Sequence, residues 1–300
     1  MKYKTNVQES PVQIVTDSGT NIHRSPEECE RLRIHVVPLS VTLNGKTYRE
    51  GIDLDAARFY PLLEASTALP TTSQPAVGEF LELYTRLLKE DDQILSIHMS
   101  SGLSGTYNSA VAAAAILPGA DITVVDTLTL GAPAGWQVET AARAAAAGWP
   151  KERILDQMAR IRGNTEVFYT LKELKYLING GRISHIKGLI GSLLNIKPII
   201  GVEKERGTYV QQGQSMSFSG AIKAAADVIS RKFTPGTKLR MQVVHSNNLA
   251  GALALKDEVS RRLNGVWLPV GVLSLVLGAH VGSSMIGVAA APEELFNLFS

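Results

Sequence analysis

The sequence predicts an α/β protein of two domains: an N-terminal, mostly parallel three-layer α/β sandwich and a C-terminal α/β domain with a mixed sheet. Up to about Thr165, short β-branched apolar runs alternate with helical patterns, which is the spacing of βα units around a parallel sheet. Beyond it, the strand-like runs 197–202 and 207–210 are joined only by a polar turn, so the pairing becomes mixed. We divide the chain into a polar extension, 1–11, and domains at 12–165 and 166–300.

Length and composition are those of a globular chain. The 300 residues are 45% hydrophobic and 19% charged, enough for two ordinary domains with a sizeable core. A formal net charge of +2 and the lack of a basic recognition helix disfavour nucleic acid or an anionic membrane as the main partner, and with them a DNA-binding regulator. The single cysteine, Cys29, excludes an internal disulfide. The first ten residues lack a signal-peptide pattern, and we expect a cytoplasmic protein.

In the first domain, β-branched apolar runs predict the strands and helical periodicity predicts the helices. The predicted strands are 12–15, 34–37, 94–99 and 121–126. The predicted helices are 27–32, 53–65, a segment after Pro75, 110–117, 134–147 and 150–162. Asn44-Gly45 is the strongest two-residue hairpin signal, and Pro61 should kink or shorten the helix that contains it.

In the second domain the same patterns recur with different spacing. The predicted strands are 167–169, 197–202, 207–210 and 239–245. The predicted helices are 171–178, 186–194, 217–232 and 249–263. The span from Val266 to Ala291 has no charged residue, but Pro269 and four glycines interrupt it. It therefore predicts two buried strands joined by a glycine-rich turn rather than a membrane span.

A serine- and glycine-rich stretch, Ser100–Ser109, lies between a predicted buried strand and an alanine-rich helix. Glycine allows close backbone approach and serine caps helix starts, so N–H groups and hydroxyls can face an anion at the positive end of the helix dipole. An ordinary N-cap loop has the same composition, and the stretch alone does not decide between the two.

A second hydroxyl-rich stretch, Pro70–Pro75, also precedes a helical pattern, and its prolines and hydroxyls predict another helix N-terminus. If this turn folds back over the sheet, Thr72 and Ser104 converge on one small acidic group. A carboxylate held away from water needs several donors, and hydroxyls and backbone amides are donors of the right kind.

The usual catalytic and nucleotide-binding motifs are absent from the sequence: there is no GxxxxGK[ST], HExxH, CxxC or GxGxxG after the first strand. A serine hydrolase would need a base, and His98, His245 and His280 are available, but nothing pairs one of them with Ser104 and an acid. An enzyme acting on a small carboxylated or phosphorylated substrate at the same turns remains the alternative to a binding protein.

Five segments together resemble the DegV family, the fatty-acid-binding proteins also called FakB, and the resemblance covers the chain from about Val12 to Ala290. The segments are Thr16-Asp17-Ser18, Pro38–Val41, Pro70–Pro75, Ser100–Ser109 and Gly180–Ser184. The resemblance implies a lipid-binding carrier that has no catalytic residue, cofactor or metal of its own. It would bind a long-chain fatty acid and present it to a separate ATP-dependent fatty acid kinase, which makes an acyl-phosphate for phospholipid synthesis.

The resemblance also implies which residues bind the fatty acid. The family's carboxylate-binding threonine falls on Thr72 and its serine on Ser104, with Ser101 in the same stretch. Arg182 matches an arginine near the ligand head, and His280 matches a histidine in the late glycine-rich turn. The acyl tail would lie in an apolar channel and supply most of the affinity, at ~0.8 kcal/mol per buried methylene.

Two positions depart from the family pattern. Gly19 stands where the family commonly has a threonine after Thr-Asp-Ser. The segment 127–133 lacks the usual serine-glycine pattern and carries Pro133, which could reshape one wall of the tail channel. The family's chain-length preferences therefore do not transfer to this chain.

Overall fold

The chain folds around one parallel sheet, one mixed sheet and one small antiparallel sheet; the computed structural model describes residues 12–22, 24–185 and 196–297. The strands are β1 (Gln13–Asp17), β2 (Ile34–Val37), β3 (Ser40–Leu43), β4 (Lys46–Arg49), β5 (Thr71–Ser73), β6 (Gln93–His98), β7 (Asp121–Asp126), β8 (Glu166–Thr170), β9 (Lys197–Val202), β10 (Tyr209–Ser215), β11 (Leu239–His245), β12 (Gly265–Trp267), β13 (Gly271–Val272) and β14 (Ile286–Pro292). The helices are α1 (Pro26–Arg31), α2 (Ala56–Ala65), α3 (Val77–Leu87), α4 (Thr106–Ala115), α5 (Ala132–Ala146), α6 (Lys151–Asn164), α7 (Lys175–Asn179), α8 (Phe218–Ser230), α9 (Leu249–Ser260) and α10 (Leu275–Val281).

The parallel sheet has the strand order β2-β1-β6-β7. β1 lies inside it, with Thr16 opposite Val36 on one side and Ile97 on the other. Helices α3 and α4 pack on one face, and α5 and α6 pack on the other. The helices cover both faces because the crossovers between parallel strands run there. The predicted three-layer parallel arrangement is confirmed.

The small sheet has the order β4-β3-β5, and both pairings are antiparallel. Asn44 and Gly45 have φ values of 52° and 75°, as a two-residue type I′ turn requires, so the predicted hairpin is confirmed. The helix predicted after Pro75 is present as α3, but the hydroxyl-rich residues before it do not form its N-terminus. Thr72 instead pairs with Val41 on the free edge of β3, and α3 begins only after Ala76.

The mixed sheet has the order β10-β9-β8-β14-β11-β12, and β13 also pairs with β11. β12 and β13 run parallel to β11, and the other pairings are antiparallel. Helices α8 and α9 pack on one face with Phe168 and Val243. Neighbouring side chains such as Tyr169 and Val244 point to the opposite face. The predicted mixed sheet is confirmed, and its second face is free to line a cavity.

The charge-free span Val266–Ala291 differs from the prediction of two strands joined by a turn. It contains β13, then α10, then β14, so the predicted glycine-rich turn is a helix. Ser274 begins that helix, because its Oγ accepts a hydrogen bond from the Leu277 N–H at 3.3 Å. Gly282 follows the helix with φ 73°, a conformation that favours glycine. In the described part of the chain, no helix is long and apolar enough to cross a membrane.

Segments from the two halves of the sequence pack against each other. The indole N–H of Trp136 in α5 donates to Gln242 in β11 at 3.2 Å. Helix α2 packs on α10, where the Tyr60 hydroxyl donates to the Leu273 carbonyl at 3.0 Å. The division at residue 165 stays a prediction, and the expected extension at 1–11 and helix at 186–194 lie outside the described residues.

Gly278 allows the close contact between α10 and α2. A Cβ at this position would lie 2.9 Å from two ring carbons of Tyr60, closer than real Cβ atoms approach. The ring is fully buried and hydrogen-bonded, so it has little room to move. The small residue is therefore required by packing.

We predict that Gly278→Ala lowers the free energy of unfolding by about 2 kcal/mol, because the added methyl overpacks the α2–α10 contact. The matched control is Gly163→Ala in α6, where an added Cβ meets nothing within 4 Å. That change should stabilise the protein by about 0.5 kcal/mol through helix propensity. Urea unfolding measures both variants, and equal effects would contradict the proposed contact.

Candidate functional site

The site lies beyond the carboxyl ends of β1 and β6, where the strand order of the parallel sheet reverses and open α/β sheets bind their ligands. The Asp17 carboxylate joins the two strand ends. Its Oδ2 accepts hydrogen bonds from His98 Nδ1 and from the Met99 N–H, both at 3.0 Å. Its Oδ1 accepts one from the Gly19 N–H at 2.9 Å. These bonds fix where the chain leaves β6 towards the Ser100–Ser109 stretch.

His98 also belongs to a buried hydrogen-bonded chain. Its Nε2 lies 2.7 Å from Ser96 Oγ, which in turn lies 2.7 Å from the Tyr84 hydroxyl. Ser96, His98 and Asp17 therefore resemble a catalytic triad in connectivity, but all three are 0% exposed. No substrate can reach Ser96, and this histidine is not paired with Ser104. Its role is to hold the strand ends together.

Ser104 begins the turn into α4. Its N–H donates to the Ser100 carbonyl at 3.1 Å, which makes the preceding residues a tight loop. Its Oγ lies 2.8 Å from Thr106 Oγ1 and accepts from the Thr106 N–H at 3.3 Å. The hydroxyl is thus held at the start of the helix, where an anion is favoured.

The structure does not bring Ser101 to the site. Its N–H donates to the Asp126 carboxylate at 3.2 Å, which anchors the loop to the end of β7. The residue is exposed and does not line the cavity that Ser104 lines. The composition of the stretch could not distinguish the two serines, because the loop turns one inward and the other outward.

Thr72 and His280 meet although 208 positions separate them in the sequence. Thr72 comes from β5 and His280 from the last turn of α10, and Thr72 Oγ1 lies 2.8 Å from His280 Nε2. The other ring nitrogen, Nδ1, is buried with no hydrogen-bond partner in the described part of the chain. It faces Gly180, where a side chain would collide with the ring.

Burial, together with the positive charge of Arg182, lowers the pKa of His280 to about 4. The imidazole is therefore neutral at pH 7 and adds no charge to the site. Arg182 itself is half-buried, and its Nε donates to the Leu103 carbonyl at 3.3 Å. Its Nη1 donates to the Gly180 carbonyl at 2.5 Å. These two carbonyls orient the guanidinium, and among the described residues no other hydrogen bond of its N–H groups is seen.

These side chains line a polar cavity of about 230 Å³. The lining consists of Leu39, Thr72, Ser73, Gln74, Met99, Leu103, Ser104, Leu130, Arg182, Tyr209, Val276, Leu277 and His280. Four predicted residues thus converge: Thr72, Ser104, Arg182 and His280. Among these described lining residues, Arg182 is the only one that is formally charged at pH 7. Hydroxyl donors and one cation suit a small anion.

The prediction from sequence missed three polar residues of this cavity, Ser73, Gln74 and Tyr209. Gln74 lies directly after the Thr72 strand, and its Nε2 donates to Ser109 Oγ at 2.8 Å across the absent side chain of Gly105. The sequence signal for Gln74 was its position in the same hydroxyl-rich stretch as Thr72. Tyr209 comes from β10, and nothing in the sequence links it to the hydroxyl-rich stretches.

An apolar cavity of about 40 Å³ adjoins the polar one and shares Leu130, Tyr209 and Leu277 with it. The rest of its lining is Gly131, Ala132, Pro133, Val167, Tyr169, Val202, Val244, Leu273, Val281, Met285, Gly287 and Ala289. Strands β8 and β14 of the mixed sheet form its floor. The segment 127–133, which departs from the family pattern, therefore contributes to one wall of this narrow cavity.

Gly19, the other position that departs from the family pattern, is explained by packing. A Cβ at this position would lie 3.0 Å from Asp17 Oδ1 and against the Met99 sulfur. A threonine would fit here only if Met99 moved.

In the described ranges, no group of three or more His, Cys, Asp or Glu side chains is placed to hold a metal ion.

Comparison with known proteins gives one consistent family. The model of the family described as "Uncharacterised protein, DegV family" matches residues 11–293. A DegV domain-containing protein of Listeria monocytogenes is 32% identical over 279 residues, 92% of this chain and 97% of the relative.

Solved structures agree with that result. A DegV family protein of Thermus thermophilus, described as fatty acid binding, has a TM-score of 0.84 and 30% identity over 94% of this chain and 99% of its own. DegV of Bacillus subtilis, described as a fatty acid binding protein, has a TM-score of 0.83 and 29% identity over the same shares of the two chains, 94% and 99%.

Proposed function

The chain belongs to the DegV family, and on that premise we propose that it binds a long-chain fatty acid, with the carboxylate in the polar cavity and the acyl chain in the apolar one. The observation that carries the proposal is the adjacency of the two cavities. One offers hydroxyls and a guanidinium, the other is almost entirely apolar, and Leu130, Tyr209 and Leu277 line both. An amphipathic ligand with one anionic end matches this division.

The hydrogen bond between Thr72 and His280 prepares the threonine for a carboxylate. A neutral imidazole carries one proton, and a proton on Nδ1 would be a buried, unpaired donor facing Gly180. The tautomer with its proton on Nε2 avoids this and donates to Thr72 Oγ1. The threonine hydroxyl then keeps its own proton for the ligand.

Ser104 and Arg182 complete the head-group site. Ser104 lines the cavity just before α4, and when Thr106 Oγ1 donates to Ser104 Oγ, the serine hydroxyl keeps its own proton for the ligand. Arg182 supplies the positive charge that offsets the cost of burying a carboxylate. Its two carbonyl bonds fix the guanidinium, so the ligand does not have to order it.

The acyl chain supplies most of the affinity. At ~0.8 kcal/mol per methylene, burial of about sixteen carbons releases roughly 12 kcal/mol before ordering costs. The apolar cavity is narrow, so the chain must displace flexible lining side chains such as Met285 and Leu130 as it enters. The small residues Gly287 and Ala289 on β14 leave room along the floor.

The proposal includes presentation of the bound fatty acid to a separate ATP-dependent kinase, in the cytoplasm, where ATP is supplied. A carboxylate oxygen of the ligand would attack the γ-phosphoryl group of ATP, giving an acyl-phosphate and ADP. The sequence has no phosphate-binding glycine motif, which supports a nucleotide site on another protein. Arg182, beside the carboxylate, would steady the charge that develops on the phosphoryl group.

We predict that Thr72→Val and Ser104→Ala each weaken fatty-acid binding ten- to a hundredfold, about 1.5–3 kcal/mol, because the buried carboxylate loses a donor and keeps its desolvation cost. Matched controls are Thr71→Val and Ser101→Ala, which remove exposed hydroxyls next in sequence or in the same loop. Isothermal titration with delipidated protein measures all four. If the control variants lose affinity, or if neither Thr72→Val nor Ser104→Ala does, the carboxylate does not bind at Thr72 and Ser104.

We predict that Arg182→Ala lowers kinase-dependent acyl-phosphate formation ~10-fold more than it lowers fatty-acid affinity, since the tail dominates affinity while the guanidinium acts on the phosphoryl charge. Arg182→Lys keeps the charge but not the planar guanidinium, so its rate of acyl-phosphate formation should lie between those of wild type and Arg182→Ala. Binding and kinase-coupled assays run in parallel. Equal loss in both would make Arg182 a binding residue, and turnover without any kinase would favour an enzyme.

A further inference from the structure

The apolar cavity adjoins a third cavity, on the side away from the polar one. The apolar cavity has a volume of about 40 Å³, far less than a lipid ligand needs, so a bound acyl chain must find more room. The third cavity has a volume of about 100 Å³, and Ala132, at the start of α5, lines both. Trp136 lines the third cavity but not the apolar one.

The indole of Trp136 stands at the wall between these two cavities. Trp136 follows Ala132 by four residues in α5, so the two side chains lie on the same face of the helix. The indole packs in one buried cluster with Ala289 and Ala291 of β14, and Val167 packs against that cluster. Val167 and Ala289 pair across β8 and β14, and both line the apolar cavity. A ligand that passes this pair therefore meets the indole.

The indole is held more firmly than the other walls of the apolar cavity. It is 3% exposed, and its N–H donates to Gln242 Oε1 at 3.2 Å. The Phe296 ring packs edge-on against it, with ring centroids 5.6 Å apart and an interplanar angle of 82°. An unbranched side chain such as Met285 changes rotamer at little cost, but a large ring fixed by a hydrogen bond and an aromatic contact does not.

We infer that Trp136 stops the methyl end of the acyl chain and so sets the longest fatty acid that the site accepts. The inference rests on the proposed fatty-acid binding and narrows its substrate class to chains that end before the indole. Each methylene buried before the indole adds affinity, whereas a longer chain has to displace a fixed ring or leave carbons in water. Affinity should therefore rise with chain length up to a limit and fall beyond it.

The test measures dissociation constants of the delipidated protein for saturated fatty acids of even length, from twelve to twenty-two carbons, by competition against a fluorescent fatty acid. For wild type, each added pair of methylenes should strengthen binding about tenfold up to the limit. The next longer acid should bind about tenfold more weakly than the acid at the limit. In Trp136→Leu the limit should move to acids at least two carbons longer, because the smaller side chain joins the two cavities.

A second variant should move the limit in the opposite direction. Ala289→Val adds two methyl groups to the cavity wall beside the indole, so its limit should fall by at least two carbons. The matched control is Trp267→Leu, which removes an indole that donates to Ser260 Oγ at 3.0 Å and lines neither cavity. Its limit should equal that of wild type. An unchanged limit in folded Trp136→Leu or folded Ala289→Val would overturn the inference.

The loss of a buried tryptophan also lowers stability, and ligand-dependent unfolding separates that effect from a change in selectivity. A bound fatty acid raises the urea midpoint according to its affinity. For wild type, the acid at the limit should raise the midpoint more than the acid two carbons longer, and for Trp136→Leu this order should be reversed. The wild-type order in Trp136→Leu would overturn the inference. If the leucine variant does not fold, Trp136→Phe takes its place, with shifts in the same direction.

The results for wild type distinguish this inference from the proposal on which it rests. If no fatty acid of any length binds wild type, the proposed fatty-acid binding is wrong, and the inference is wrong with it. If fatty acids bind but affinity rises across the whole series without a limit, only the present inference is wrong.

Discussion

The buried carboxylate of Asp17 joins two backbone segments that the site needs in fixed positions. It accepts hydrogen bonds from the turn after β1 at Gly19 and from His98 and Met99 at the end of β6. A carboxylate with no exposed surface needs several hydrogen-bond donors, so the folded chain must bring these segments together. The loop that follows Met99 thereby starts from a fixed point, and Ser104 reaches the cavity just before α4 begins.

The second constraint is the position of α10, which lies in the last tenth of the chain but completes a site begun by its first half. Glu50 accepts a hydrogen bond from the Leu275 N–H at 2.6 Å and another from Ser274 Oγ at 3.1 Å, which holds the start of the helix. The far end of the helix carries His280 to Thr72. Helix α10 is therefore fixed at both ends by residues from the first 75 positions, and Leu277 between them lines both cavities.

Sequence reasoning predicted the elements well where local pattern decides them, as in the parallel strands and the Asn44-Gly45 hairpin. It failed where a tertiary partner overrides local signals: Pro70–Pro75 resembles a helix start, but the open edge of β3 makes part of it a strand. The turn predicted around His280 is a helix because Ser274 caps it and Glu50 holds its first turn. Of the predicted site residues only Ser101 points away from the cavity. Ser101 and Ser104 are both typical of a loop, and only the path of the folded loop decides which of them faces the cavity.

The central claim is that one amphipathic lipid spans the two adjoining cavities. Mass spectrometry of the purified protein tests it most directly, first under native conditions and then after denaturation and solvent extraction. The account predicts about one fatty acid per chain, released on denaturation and taken up again by the delipidated, refolded protein. Protein that is repeatedly lipid-free and does not take up added fatty acid would contradict the account.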